Sequence, residues 1–137
     1  MNEMIILVPT RGRPCNAVEL LAEHEKLSTH SDIIFVIDAN DPEHDAYEFE
    51  VGADKCITIK NETRGMAYPI NKAASAIVKK NEYKYFAFLG DDHRPRTAGW
   101  DALLIQAMQK RPSMAYGNDL LQKERLPTMI AMTSDIV

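Results

Sequence analysis

At 137 residues the chain has the length of one ordinary domain, and 45% hydrophobic against 26% charged residues is the balance of a globular protein with a sizeable core. A net charge of −4 excludes a surface that grips nucleic acid or anionic lipid all round, while leaving room for a local basic patch. Apolar runs of five or six residues are far short of a membrane span.

The N-terminus, "MNEMIILVPT", lacks the layout of a signal peptide and reads as a first strand, all-apolar over residues 4–8. "PTRGRP" breaks it, and a helix is expected from Pro14, with Ala17, Leu20, Leu21, His24 and Leu27 or Ser28 on one stripe. Residues 33–37 (IIFVI) form a second strand ended by "DANDPEHD", and residues 56–59 (CITI) a third, ended by "KNETRGMAYP". A helix over 70–80 follows from the spacing of Ile70, Ala73, Ala74, Ile77 and Val78, with Pro69 at its start. Residues 85–89 (YFAFL) make a fourth strand. A helix from about Ala98 to Lys110 comes next, capped by Thr97, with Trp100, Leu103, Leu104, Ala107 and Met108 on one face. Further short strands are expected at 114–116 and 129–132. Apolar strands alternating with amphipathic helices predict an α/β fold around a mostly parallel sheet. Cys15 and Cys56 read as free thiols in a reducing, cytoplasmic setting.

In such sheets ligands bind beyond the carboxyl ends of the strands, and those ends carry the unusual sequence. Asp91 and Asp92 follow the fourth strand in "FLGDDHRP". Two adjacent carboxylates suit a hard cation that also takes phosphate oxygens; a solvated turn is the structural alternative. His93 is a third ligand or an exposed loop histidine. Arg11 and Arg13, flanking Gly12, suit a phosphate or a base, or are surface arginines. Arg64, before Gly65 and a helix start, suits an anion. Asn71 caps that helix or touches ligand, Asp38 meets a ribose or ends a turn, and Asp119 is an active-site carboxylate or a turn residue. His24 reads as packed. There is no phosphate-binding P-loop, no G-x-G-x-x-G after the first strand and no G-x-S-x-G.

Taken together, "IILVPTRGRP", "IIFVIDAND", "TRGMAYPINKAASAI" and "YFAFLGDDHRPRTAGWDALL" resemble the nucleotide-sugar-binding half of GT-A glycosyltransferases of the family-2-like group, with short bacteriophage and bacterial members most alike. The resemblance covers roughly residues 4–110 and implies a GT-A fold, a nucleoside-diphosphate sugar (a UDP-sugar first) as ligand, and Mn²⁺ or Mg²⁺ as cofactor. It places Pro9, Thr10, Arg11 and Arg13 near the nucleotide, Asp38 on base or ribose, Arg64 and Gly65 beside the nucleotide, and Asn71 at the start of the adjacent helix. It gives Asp91 to the ribose, sugar or metal, and Asp92 to the metal as main ligand. Gly90 stands where some members carry the first Asp of a D-x-D motif. The family's acceptor half and general base lie downstream, so the resemblance implies a C-terminally truncated donor-binding domain over 1–137, with Asp119 as a substitute base. The acceptor is open, and a homo-oligomer is compatible with this reading. A nucleotidyltransferase acting on a sugar phosphate and a non-catalytic nucleotide-sugar-binding module are the alternatives; "PTRGRPCN" is a poor match to the Gly-rich loop of the former.

Overall fold

A computed structural model describes residues 2–61, 65–117 and 128–137. Its sheet is built from β1 (Met4–Thr10), β2 (Ser31–Asp38), β3 (Cys56–Ile59), β4 (Tyr85–Phe88), β5 (Met114–Tyr116) and β6 (Ile130–Thr133), in the spatial order β3-β2-β1-β4-β6-β5. β1 lies parallel to β2 and β4, and β2 parallel to β3. β6 runs antiparallel to both β4 and β5. The helices are α1 (Pro14–Leu27), α2 (His44–Val51), α3 (Ala67–Val78) and α4 (Trp100–Met108).

Every residue from Met4 to Val8 is buried, because the sheet is covered on both faces and alternate side chains serve opposite layers. Met4, Ile6 and Val8 pack with Ala17 and Leu20 of α1, Tyr47 and Val51 of α2, and Leu104, Ile105 and Met108 of α4. Ile5 and Leu7 point the other way, into a smaller cluster with Val36, Phe86, and Ala73, Ala74 and Ile77 of α3. Three helices thus cover one face, while α3 is the helix of the smaller cluster on the other. The opening that α3 leaves beside β4 and β6 becomes part of the site.

Several boundaries differ from the sequence reading. α2 falls inside a stretch read as a connection. α3 begins at Ala67 rather than at residue 70, so Pro69 lies within its first turn. Asn71 is then an exposed residue further along the helix and does not cap it. α4 is shorter than expected: Gly99, at φ 70°, ends the preceding turn, and Thr97 gives only its carbonyl, to the Trp100 N–H. Its buried positions are Asp101, Leu104, Ile105 and Met108, whereas Leu103 is exposed. No helix among the described residues is long and apolar enough to cross a membrane.

The two cysteines sit in different surroundings. Cys15 is exposed, and Cys56 is half-buried at the start of β3. Burial, with Glu48 and Asp54 adding to it, pushes the Cys56 thiol up to about 11. With little thiolate at Cys56, one fast-reacting thiol is expected in a thiol-titration time course at pH 8. Equal rates for both would contradict this placement.

Candidate functional site

Because β1, β2 and β4 are parallel, Thr10, Asp38 and the Gly90–His93 turn arrive at one edge of the sheet. Thr10 has the parity of Val8 and so faces α2, where Tyr47 is fully buried. The Tyr47 hydroxyl accepts the Arg13 backbone N–H at 2.8 Å and lies 2.8 Å from Thr10 Oγ1. Thr10 Oγ1 in turn donates to Asp91 Oδ2 at 2.8 Å. A hydroxyl carries one proton, and that of Thr10 goes to the carboxylate, so Tyr47 donates to Thr10. A continuous chain results: Arg13 N–H to Tyr47, Tyr47 to Thr10, Thr10 to Asp91. Burial raises the Tyr47 phenol above its ordinary value, which keeps it protonated for this role.

The other oxygen of Asp91 meets the Arg13 guanidinium at 2.8 Å. Asp91 is 1% exposed, so the first aspartate of the pair faces inward with both oxygens taken. This differs from the expectation of a second metal-ligating carboxylate: its partners already supply the positive charge that a buried carboxylate needs. Asp92 turns outward and is exposed. Among the described residues no hydrogen bond or ion pair engages its carboxylate. Mg²⁺ and Mn²⁺ are held by one or two carboxylates together with substrate phosphate oxygens, and Asp92 is the outward-facing carboxylate of this turn. The one close trio of His, Asp and Glu ligand atoms among the described residues is His44, Asp45 and Glu48. It lies on α2, outside the cleft.

The turn carrying both aspartates is held from α1. Arg94 Nη1 donates to the carbonyls of Asp91 and His93, each at 2.7 Å, and Nη2 to Glu19 at 2.9 Å. The β1–α1 loop is fixed similarly: the buried Asp41 accepts the Gly12 N–H at 2.8 Å and the Glu43 N–H at 2.9 Å. Asp38 pairs with Arg11 at 2.8 Å. Arg11 is 61% exposed, and a pair so exposed contributes at most about 1 kcal/mol. Arg11 can therefore turn to a ligand at small cost.

Two cavities open at this edge. One of about 540 Å³ lies over β1 and β2, lined by Pro9, Thr10, Arg11, Arg13, Asp38, Asn40 and Gly65 among others. The other, about 990 Å³, lies between α3 and β4/β6, lined by Asn71, Phe88, Gly90, Asp92, His93 and Met132 among others. Pro9 and Met66 line both, so the cavities adjoin along one edge, with the arginines in the smaller and Asp92 in the larger. Pro9, Thr10, Arg11, Arg13, Asp38, Gly65, Asn71 and Asp92 are thus gathered along it, and Asp91 lies beneath. Arg64 and Asp119 fall outside the described residues. Sequence reasoning marked Asp41, with Asp38, as unusual polar sequence at the end of β2 but gave it no role, and it missed Tyr47 and Arg94. Arg94 carried a legible signal, a basic residue close after the acidic pair; Tyr47 did not, since its partners Arg13 and Thr10 lie 34 and 37 positions away.

Gly90 bears on where the Asp92 carboxylate sits. A Cβ there would lie 2.8 Å from Asp92 Oδ1, so the exposed carboxylate would have to turn aside. Gly90→Ala is expected to fold normally with Asp92 displaced, at a cost within about 0.5 kcal/mol. A loss of several kcal/mol in urea unfolding would contradict this.

No protein-family model and no curated protein matches the sequence. Solved structures do match in three dimensions. A putative nucleotide-diphospho-sugar transferase from Desulfovibrio desulfuricans G20 superposes over 100% of this chain with a TM-score of 0.67 and 12% identity. The fold is that of nucleotide-diphospho-sugar transferases. S. aureus TarS 1-349 matches over 99% of the chain (TM-score 0.66, 16% identity), and a second structure of it, in complex with UDP-GlcNAc, over 95% (TM-score 0.64). A 4-diphosphocytidyl-2C-methyl-D-erythritol synthase matches over 86% (TM-score 0.59, 14% identity). The chain spans 66% of the Desulfovibrio structure and 48% of TarS 1-349.

Proposed function

We propose that this chain binds a nucleoside-diphosphate sugar, a UDP-sugar first among them, and forms the donor-binding portion of a glycosyltransferase. The observation that carries this reading is the pair of adjoining cavities at the strand ends, with Arg11 and Arg13 lining one and Asp92 lining the other. The nucleotide lies in the smaller cavity, with Asp38 toward base or ribose and Arg11, Arg13 and Gly65 around it. The diphosphate crosses Pro9 and Met66, and the sugar reaches the larger cavity beside Asp92 and Asn71. Binding of UDP-GlcNAc by TarS, which shares this fold, supports the choice of ligand class.

Asp92 would hold Mn²⁺ or Mg²⁺ against the diphosphate. Such an ion supplies Lewis-acid stabilisation of a departing diphosphate. The chain's own contribution is charge and placement. Arg11 and Arg13 give charge-assisted hydrogen bonds to phosphate oxygens. Asp91 anchors Arg13 and, through Thr10, ties the β4 turn to β1. Arg94 fixes the turn that presents Asp92. The acceptor hydroxyl needs a general base, for which Asp119 is the candidate within this chain.

A second reading, nucleotidyl transfer to a sugar phosphate, draws on the likeness to the diphosphocytidyl synthase. Product analysis separates the two. Glycosyl transfer or slow hydrolysis releases UDP from a UDP-sugar, whereas a nucleotidyltransferase releases pyrophosphate from UTP plus sugar phosphate. UDP release lost in Asp92→Asn is expected; pyrophosphate release without UDP release would overturn the proposal.

A further inference from the structure

The turn after β4 closes on itself in a way that fixes the chemistry of His93. The His93 backbone N–H donates to the Gly90 carbonyl at 3.1 Å. The Gly90 N–H donates to His93 Nδ1 at 3.0 Å. A backbone N–H has no other role than donor, so Nδ1 carries its lone pair, and in the neutral ring the proton sits on Nε2. The ring lies over the place where Gly90 lacks a side chain: a Cβ there would be 3.8 Å from both Cε1 and Nε2 of His93, and 2.8 Å from Asp92 Oδ1. The missing side chain thus leaves a niche bordered by the Asp92 carboxylate and the His93 Nε2 edge, on the wall of the larger cavity.

We infer that His93 is a hydrogen-bond donor to an oxygen of the bound donor substrate, and not a ligand of the metal. The inference rests on the proposed donor site and adds a recognition residue to it. A metal bond through Nε2 requires the lone pair there and the proton on Nδ1, which would set Nδ1–H against the Gly90 N–H, donor facing donor. The Nε2–H edge suits an acceptor oxygen instead, either a β-phosphate oxygen or a sugar hydroxyl. Asp92 and His93 then have opposite tasks on neighbouring positions, one negative and facing a cation, the other donating to ligand oxygen.

Two measurements test this. Long-range ¹H–¹⁵N spectra of the imidazole nitrogens in the ligand-free chain at pH 8 read the tautomer directly. The expected result is a protonated Nε2 whose resonance stays in place on addition of Mg²⁺. An Nδ1–H tautomer, or a large displacement of Nε2 by the metal, overturns the inference whatever the chain binds. Calorimetric titration of UMP, UDP and UDP-GlcNAc then compares His93→Asn, whose amide oxygen can still accept from Gly90 but whose reach stops short of the cavity, with His93→Gln, whose amide nitrogen falls near Nε2. Binding about tenfold weaker in His93→Asn, and largely recovered in His93→Gln, is expected, the value of one charge-assisted hydrogen bond. Loss for UDP but not UMP assigns the contact to the β-phosphate; loss for UDP-GlcNAc alone assigns it to the sugar. Full affinity of His93→Asn for all three ligands overturns the role of His93 alone, whereas wild type that binds none of them overturns the donor-site reading beneath it.

Discussion

Asp101→Ala is expected to destabilise the fold by roughly 3 kcal/mol, the largest single-residue effect outside the apolar core. Asp101 is fully buried and gathers the turn that starts β2. It accepts from the N–H groups of Thr29 and His30, the latter at 2.7 Å, and from Ser31 Oγ at 2.7 Å. Removing the carboxylate leaves the buried Ser31 hydroxyl without its acceptor and loosens the register of a central strand. Burial alone would raise the Asp101 carboxyl, but the Ser31 hydroxyl and the N–H groups of His30, Thr29 and Ala102 outweigh it and hold it below the ordinary 3.8. A folded value below the unfolded one gives stability that is fully present above the unfolded value and is lost as pH falls through the folded one. The Asp101 contribution to the stability gap between wild type and Asp101→Asn should therefore shrink below about pH 4. Asp101 also raises His24, which burial holds below 6.5 overall, so the gap first grows slightly as pH falls below the unfolded value of His24 and then shrinks as Asp101 itself is protonated. Urea midpoints at pH 5 and pH 3 make the check, and a gap unchanged between them would contradict the account. Asp101 lies at the opposite end of the sheet from the cleft, so the folded fraction of the variant should bind nucleotide normally.

The second large effect is expected at Asp91. Asp91→Ala should cost about 2–3 kcal/mol, near the value of charged hydrogen bonds and below that of a fully buried pair, because Arg13 is 56% exposed and remains hydrated when released. The chain from Arg13 N–H through Tyr47 and Thr10 to Asp91 makes the loss cooperative. A double-mutant cycle of Asp91→Ala with Thr10→Val should show a coupling of at least about 0.5 kcal/mol. Additive effects within about 0.3 kcal/mol would contradict the relay. Nucleotide affinity should fall as well, since the Arg13 guanidinium loses the anchor that holds it at the cleft.

The central strands and the face of α3 were legible because their signals are local: unbroken apolar runs in β1 and β2, and a clean stripe in Ala73, Ala74 and Ile77. α2 was not. Only Tyr47 and Val51 of its eight residues are buried, on one stripe four apart, while Phe49 lies off that stripe and is 87% exposed, so the apolar pattern is too sparse and too broken to read as a helix. The N-terminal end of α3 was misplaced by reading Pro69 as its first residue, when proline is tolerated anywhere in the first turn. The sequence reading looked to the strand ends because parallel topology directs ligands there, and the two cavities open at that edge. Sequence could not divide the labour within "GDDH". Which aspartate turns inward is decided by Thr10 and Arg13, some eighty positions earlier, and the tautomer of His93 by a single backbone bond.

The donor-site claim stands most directly on calorimetric titration of UDP into wild type and Asp92→Asn, each with and without Mn²⁺. The account predicts binding that Mn²⁺ tightens in wild type, with the Mn²⁺ increment absent in Asp92→Asn. No UDP binding to wild type, or an equal Mn²⁺ increment in both proteins, would contradict it.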